Sequence, residues 1–171
     1  MGSGGAKWWE HVCRRERRQV ARAPAPFSFP YELMFLGEYT PTLDEKGRLT
    51  LPAKFREQLE AAFLTSEVDQ CLALWPPEEF AARAKELRDQ AKRDAAAHDR
   101  AAYFFAGAQE VIPDKQGRIA IPPALREFAG LQGPVVVTGF FDHVEIRASG
   151  PWQAKKARGA EGMARLQFQG E

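Results

Sequence analysis

A chain of 171 residues with 44% apolar residues, twelve Phe and four Trp can bury a core, as one compact domain or two small ones, without a metal or disulfide staple. The two cysteines, Cys13 and Cys71, form no C-x-x-C pair, so neither a zinc site nor a disulfide framework is expected, and a reducing cytoplasm suits them. No apolar run reaches 18 residues, no secretory signal pattern opens the chain, and a net charge of +1 excludes a uniformly basic nucleic-acid-binding body.

Residues 1–33 carry six Lys/Arg against three Glu, which leaves 18 basic and 20 acidic residues in the remainder. Any nucleic-acid contact by that remainder therefore needs a concentrated basic patch repeated in an oligomer. The segment mixes Gly, Arg and Pro without apolar periodicity, and residues 1–33 are expected to be a disordered extension. Arg14-Arg15-Glu16-Arg17-Arg18 reads as a solvated run or a DNA arm. Two further explanations compete: a leader added for expression, suggested by Met1-Gly2-Ser3-Gly4-Gly5, and a start assigned too early.

Past residue 33 the chain repeats itself. Asp44-Glu45-Lys46-Gly47-Arg48-Leu49-Thr50-Leu51-Pro52-Ala53-Lys54-Phe55-Arg56-Glu57 aligns without gaps, seventy positions on, with Asp114-Lys115-Gln116-Gly117-Arg118-Ile119-Ala120-Ile121-Pro122-Pro123-Ala124-Leu125-Arg126-Glu127. In each copy an apolar strand (Tyr39–Leu43, Glu110–Ile112) enters a turn whose Gly47 or Gly117 supplies positive φ. Leu49-Thr50-Leu51 and Ile119-Ala120-Ile121 alternate with period two, so the chain is predicted to return as a hairpin. Pro52 and Pro122 open short helices, and Gly130 stops the second. Closing strands are predicted at Cys71–Trp75, and at Val135–Thr138 with Val144–Ile146. Between the copies, Pro77–Arg100 places Phe80, Ala84, Leu87 and Ala91 at three- and four-residue intervals and predicts one long amphipathic helix. Tyr103-Phe104-Phe105-Ala106-Gly107 then reads as a buried aromatic plug or an oligomer contact.

At these residues the chain resembles the MraZ family, whose halves are similar to AbrB- and SpoVT-type swapped-hairpin units. Met34-Phe35-Leu36-Gly37 resembles the family's amino terminus, Leu43–Glu57 its first signature, and Phe104-Phe105-Ala106-Gly107-Ala108 with the second Asp-to-Glu block its second. The resemblance spans about Met34 to Trp152. It implies an α+β, mainly β fold: tandem AbrB/SpoVT-like swapped-hairpin β-units forming a small barrel, with linking helices. The expected boundaries are a first unit at 38–80, a helical linker at 81–107, a second unit at 109–152 and a tail at 153–171. It further implies a cytoplasmic, nucleoid-associated transcription regulator. Such a protein assembles into a ring-shaped homo-oligomer and binds double-stranded DNA at G-rich direct repeats upstream of its own division and cell-wall gene cluster. Trp8-Trp9-Glu10 can only be encoded by a similarly G-rich stretch, so residues 1–33 are read as translated control region and Met34 as the true start. Arg147 departs from the pattern, standing where the family commonly has an aromatic residue.

Carried over residue by residue, the DNA-contacting positions are Arg48 and Arg118, with Lys46 beside the first and Gln116 in its place in the second copy. A guanidinium at a turn offers a planar fork of donors for phosphate or a guanine edge. An ion pair across the turn to Asp44 or Asp114 is the competing role. Asp44, Gly47, Asp114 and Gly117 shape the turns, and Arg56 and Arg126 are expected to pair with neighbouring acids. No metal site, cofactor, small-molecule substrate or membrane association is expected. Catalysis is not expected either: His11, His98 and His143 form no constellation, and Asp142-His143 lacks a third polar partner. The alternative to a DNA-binding regulator is a protein-partner-binding assembly factor or an antitoxin-like protein. Against it stand the two copies in one chain, with only Pro151–Glu171 resembling a tail.

Overall fold

A computed structural model describes residues 34–167, so the expectations for residues 1–33 lie outside the described residues. In chain order the elements are β1 (Glu38–Tyr39), β2 (Arg48–Thr50), α1 (Ala53–Arg56), β3 (Ala62–Glu67), β4 (Cys71–Trp75), α2 (Pro77–Gln90) and α3 (Ala95–Gly107). The second half continues with β5 (Gln109–Val111), β6 (Arg118–Ala120), α4 (Pro123–Phe128), β7 (Val135–Phe140), β8 (His143–Ala148) and α5 (Ser149–Gln167). Among the described residues no helix is long and apolar enough to cross a membrane.

The strands form a six-stranded antiparallel sheet in the order β1-β7-β8-β4-β3-β5, and a separate two-stranded ribbon, β2-β6. That order reads the same from either end once copies are exchanged, because β1 corresponds to β5, β7 to β3 and β8 to β4. Each copy's first strand therefore pairs with the hairpin of the other copy, and the two return strands pair with each other. The predicted local hairpin shrinks to one bridge between Leu43 and Leu49. The expected small barrel is not closed: the sheet is open, with β1 and β5 at its edges. Both edge strands are two or three residues long and are soon followed by Pro41 and Pro113, which have no N–H to extend a ladder.

The core lies between the sheet and the ribbon. Leu49 and Ile119 reach it from the ribbon, Phe55 from α1 and Leu125 from α4, and Leu72 and Ile146 from the central strands. Residues 51–60 and 121–130 have the same pattern of buried and exposed positions, so the repeat is also a repeat of packing. Gly130, at φ +61°, ends α4 as predicted, with the Leu131 N–H donating to the Arg126 carbonyl at 2.9 Å.

Two further expectations change. The single helix over 77–100 is two, because Asp94 turns extended and its side chain caps the Ala97 N–H at 2.7 Å. The break lets Phe104 return to Phe80 at a ring separation of 6.0 Å, while Phe80 stacks on Phe63 of β3 at 4.2 Å. Of the aromatic plug only Phe104 is buried; Tyr103 and Phe105 are exposed. Helix α5, Ser149–Gln167, occupies most of the stretch expected as a tail. The unusual Arg147 is accommodated as a buried ion pair on β8, with Nη2 3.0 Å from Glu145 Oε1 and Nη1 donating to the Asp69 carbonyl at 3.2 Å.

Gly139 explains how the Phe35-Leu36-Gly37 segment docks. Phe35 exchanges backbone hydrogen bonds with Phe141 at 2.8 and 3.0 Å, and the Gly139 N–H donates to the Gly37 carbonyl at 2.9 Å. A Cβ at Gly139 would collide with the backbone of Phe35 and Leu36. Gly139→Ala is expected to displace the Phe35 ring from the core and to cost on the order of 1–3 kcal/mol, as overpacking does. Chemical denaturation checks it; an unchanged midpoint would show that the segment does not anchor the fold.

Candidate nucleic-acid interface

The two turns are built alike by their aspartates. Asp44 Oδ1 accepts the backbone N–H groups of Lys46 at 3.0 Å and Arg48 at 2.9 Å, while Oδ2 accepts Arg48 Nε at 2.8 Å. Asp114 repeats this with Gln116 at 2.8 Å, Arg118 N–H at 3.1 Å and Arg118 Nε at 2.8 Å. The Gly47 and Gly117 N–H groups close the turns onto the aspartate carbonyls at 2.9 and 2.8 Å. Those glycines sit at φ +74° and +72°, where a side chain is disfavoured. The Arg118 side chain, then the backbone N–H groups, hold the Asp114 carboxyl at about 2. The Arg48 backbone N–H, ahead of its guanidinium, lowers the Asp44 carboxyl below the usual carboxylate range. The ion pair and a solvent-facing arginine therefore coexist, since both arginine side chains stay partly exposed, at 31% and 26%.

The ribbon brings the turns together. Its register pairs Leu49 with Ile119, Arg48 with Ala120 and Thr50 with Arg118. Leu49 and Ile119 are the same position of the two copies, so the ribbon lies on a local pseudo-two-fold. Because side chains alternate along a strand, Leu49 and Ile119 face the core and Arg48, Thr50, Arg118 and Ala120 share the outer face. The arginines are diagonal neighbours on it, which ordinary sheet geometry spaces about 7–8 Å apart, somewhat less at Cβ. The sequence reading treated them as tips of separate hairpins; the signal it lacked was strand pairing between copies.

Lys46 is exposed beside the first turn, and Gln116 in the second. Charge nonetheless balances the other way. Asp44, Glu45, Lys46 and Arg48 sum to zero, whereas Asp114, Lys115 and Arg118 sum to +1, because Lys115 stands where the first copy has Glu45. Arg56 and Arg126 make no ion pair among the described residues; each lies against the turn glycine of the opposite copy. His143 Nδ1 is 2.6 Å from Asp142 Oδ1, and its ring stacks on Trp75 at 4.0 Å, a packing role on the sheet. Among the described residues no group of three His, Cys, Asp or Glu is placed to hold a metal ion. Burial pushes the Cys71 thiol up to about 12, which keeps it an unreactive core residue.

These features define a tandem-repeat α+β protein that displays a paired arginine face on an inter-copy ribbon. Residues 34–101 and 104–164 match the MraZ protein family, described as antitoxin-like, and the chain belongs to that family. Among its relatives are proteins named transcriptional regulator MraZ. The one from Parafrankia sp. is 45% identical over 134 residues, 78% of this chain and 94% of the relative. Those from Frankia alni and Salinispora tropica are 44% and 42% identical, again over 78% of this chain and over 94% and 95% of their own lengths.

The depressed carboxylates set the sign of the turns' acid response. A carboxyl whose folded pKa lies below its unfolded value, about 3.9, contributes stability that is present above that value and lost as pH falls through the folded one. For Asp114 the loss therefore runs from about pH 4 down to about 2. An NMR titration of the side-chain carboxyl is expected to find Asp114 still mostly ionised at about pH 3. A midpoint at the ordinary aspartate value would mean that the Asp114–Arg118 pair does not form in solution.

Proposed function

We propose that the chain is a sequence-specific DNA-binding transcription regulator that contacts double-stranded DNA through Arg48 and Arg118, with Lys46 beside the first. Asp44, Gly47, Asp114 and Gly117 shape the two reading turns. The observation that carries this reading is the shared outer face of the β2-β6 ribbon, where both arginines stand in aspartate-built turns above a buried apolar face. A guanidinium held by one edge keeps other donors for a phosphate or for guanine O6 and N7. The naming of the relatives as transcriptional regulators supports the same reading and a non-catalytic role.

In this reading the halves are AbrB/SpoVT-like swapped hairpins, which is supported by the exchange of first strands and the pairing of return strands between copies. Target sites are G-rich direct repeats upstream of the chain's own division and cell-wall gene cluster, and the protein acts in the cytoplasm on the nucleoid. Two contacts per chain at about 1–3 kcal/mol each are too few for a tight site in salt. A ring-shaped homo-oligomer that lays successive arginine faces on repeats in register gains the missing affinity through effective concentration.

Fluorescence anisotropy with the upstream DNA at several salt concentrations tests this. Arg48→Ala with Arg118→Ala is expected to weaken binding by about a hundredfold or more and to flatten the salt dependence. Three tandem repeats are expected to bind far more tightly than one. Unchanged binding in the double variant would move the contact elsewhere, and absence of binding by the wild type would favour an antitoxin-like or assembly role with a protein partner.

A further inference from the structure

Arg56 and Arg126 are equivalent positions, each on the short helix that follows its copy's return strand. Neither guanidinium serves its own turn. A Cβ placed on Gly47 would lie 2.6 Å from Cζ of Arg126, and one on Gly117 would lie 2.6 Å from Cδ and 2.8 Å from Cζ of Arg56. The backbone clamps the same way: the Leu51 N–H donates to the Gly117 carbonyl at 2.9 Å, and the Ile121 N–H to the Gly47 carbonyl at 3.0 Å. Each turn glycine is thus gripped on two sides by the other copy, through its carbonyl and across its bare Cα. The grips differ in one respect. Arg56 Nε is anchored on the Leu51 carbonyl at 2.9 Å, whereas Arg126 Nε is buried with no hydrogen-bond partner among the described residues.

We propose that Arg56 and Arg126 are crosswise positioning residues: the guanidinium of each copy holds the arginine turn of the other, so neither turn keeps its geometry without the opposite half. Glycine at 47 and 117 then serves twice: it adopts the positive φ, and it leaves open the space that the guanidinium occupies. A flat, delocalised group can lie on a peptide plane, which a lysine ammonium cannot do in the same way. The anchored Arg56 makes the stronger grip, so the second turn depends more on Arg56 than the first does on Arg126.

Hydrogen exchange on the full-length protein without DNA tests the crossing. Arg56→Ala is expected to speed exchange at the Gly117 and Arg118 amides by about tenfold while Gly47 and Arg48 stay near wild type, and Arg126→Ala to do the reverse by a smaller factor. Faster exchange confined to the variant's own turn, equal acceleration at both turns, or no change would overturn the proposal. If an alanine variant fails to fold, Arg56→Lys and Arg126→Lys keep the stem and charge; a crossed pattern in them supports the proposal and a uniform one overturns it. The DNA arm rests on the reading of the previous subsection. There both variants are expected to weaken binding with the salt slope unchanged, unlike Arg48→Ala, which loses about 0.9 of slope per phosphate contact given up. A reduced slope in Arg56→Ala would make it a phosphate contact and overturn the positioning role. Absence of DNA binding by the wild type, with the crossed exchange pattern intact, would sink the functional reading and leave the clasp standing.

Discussion

The register that sets Leu49 opposite Ile119 is the constraint from which the rest of the described chain follows. Three paired residues a side make a ribbon too small to persist alone. It persists because its inner face, Leu49 and Ile119 with Leu51 and Ile121 beyond, is withdrawn from water against the sheet. A slip of one residue would turn those side chains outward and drive the arginines into the core, so the same apolar pairs that stabilise the ribbon also aim Arg48 and Arg118. The exposed face can therefore vary in chemistry only within limits set by its buried reverse.

That coupling matters because the chain has little charge to spend. Outside residues 1–33 acids slightly outnumber bases, and each turn arginine already has a carboxylate bonded to it. The aspartates do not waste the arginines. They satisfy backbone N–H groups that an exposed turn would leave to water, and they restrict the guanidinium to one direction, so less side-chain freedom remains to be lost on binding a phosphate. A nearly neutral turn also attracts polyanions only weakly, so net charge alone does not draw them to it.

Sequence reasoning reached the elements that carry their own local signal. Cys71–Trp75 was legible as a short apolar run and the Gly130 stop as a helix end, and the Asp-x-x-Gly-Arg turns needed only glycine and the seventy-residue repeat. What it missed depended on partners distant in sequence. Leu49-Thr50-Leu51 announces that one side is buried but not which strand lies beside it, and a local hairpin was the nearest choice. Strand β3, Ala62–Glu67, went unnoticed because its buried positions do not alternate cleanly. Its turn into β4 also uses Asp69 and Gln70 at φ +58° and +52°, with no glycine or proline to mark it. The placement of Arg56 and Arg126 was equally hidden: neighbouring acids were the obvious partners in sequence, while each side chain lies against the turn glycine of the other copy.

Fusion of the copies into one chain explains both the long connection and the asymmetry. β5 must lie on the far side of β3 from β4, so the chain leaving β4 has to travel over the sheet before it can begin the second copy. The α2–α3 pair makes that journey and anchors it through the Phe63, Phe80 and Phe104 rings. Two identical chains related by a true two-fold would be obliged to carry identical turns. Here one turn can hold Glu45 and Lys46 and the other Lys115 and Gln116, and one clasp can be anchored while the other keeps a spare donor. A fused pair can thus carry two unlike faces, which a symmetric dimer of identical chains cannot.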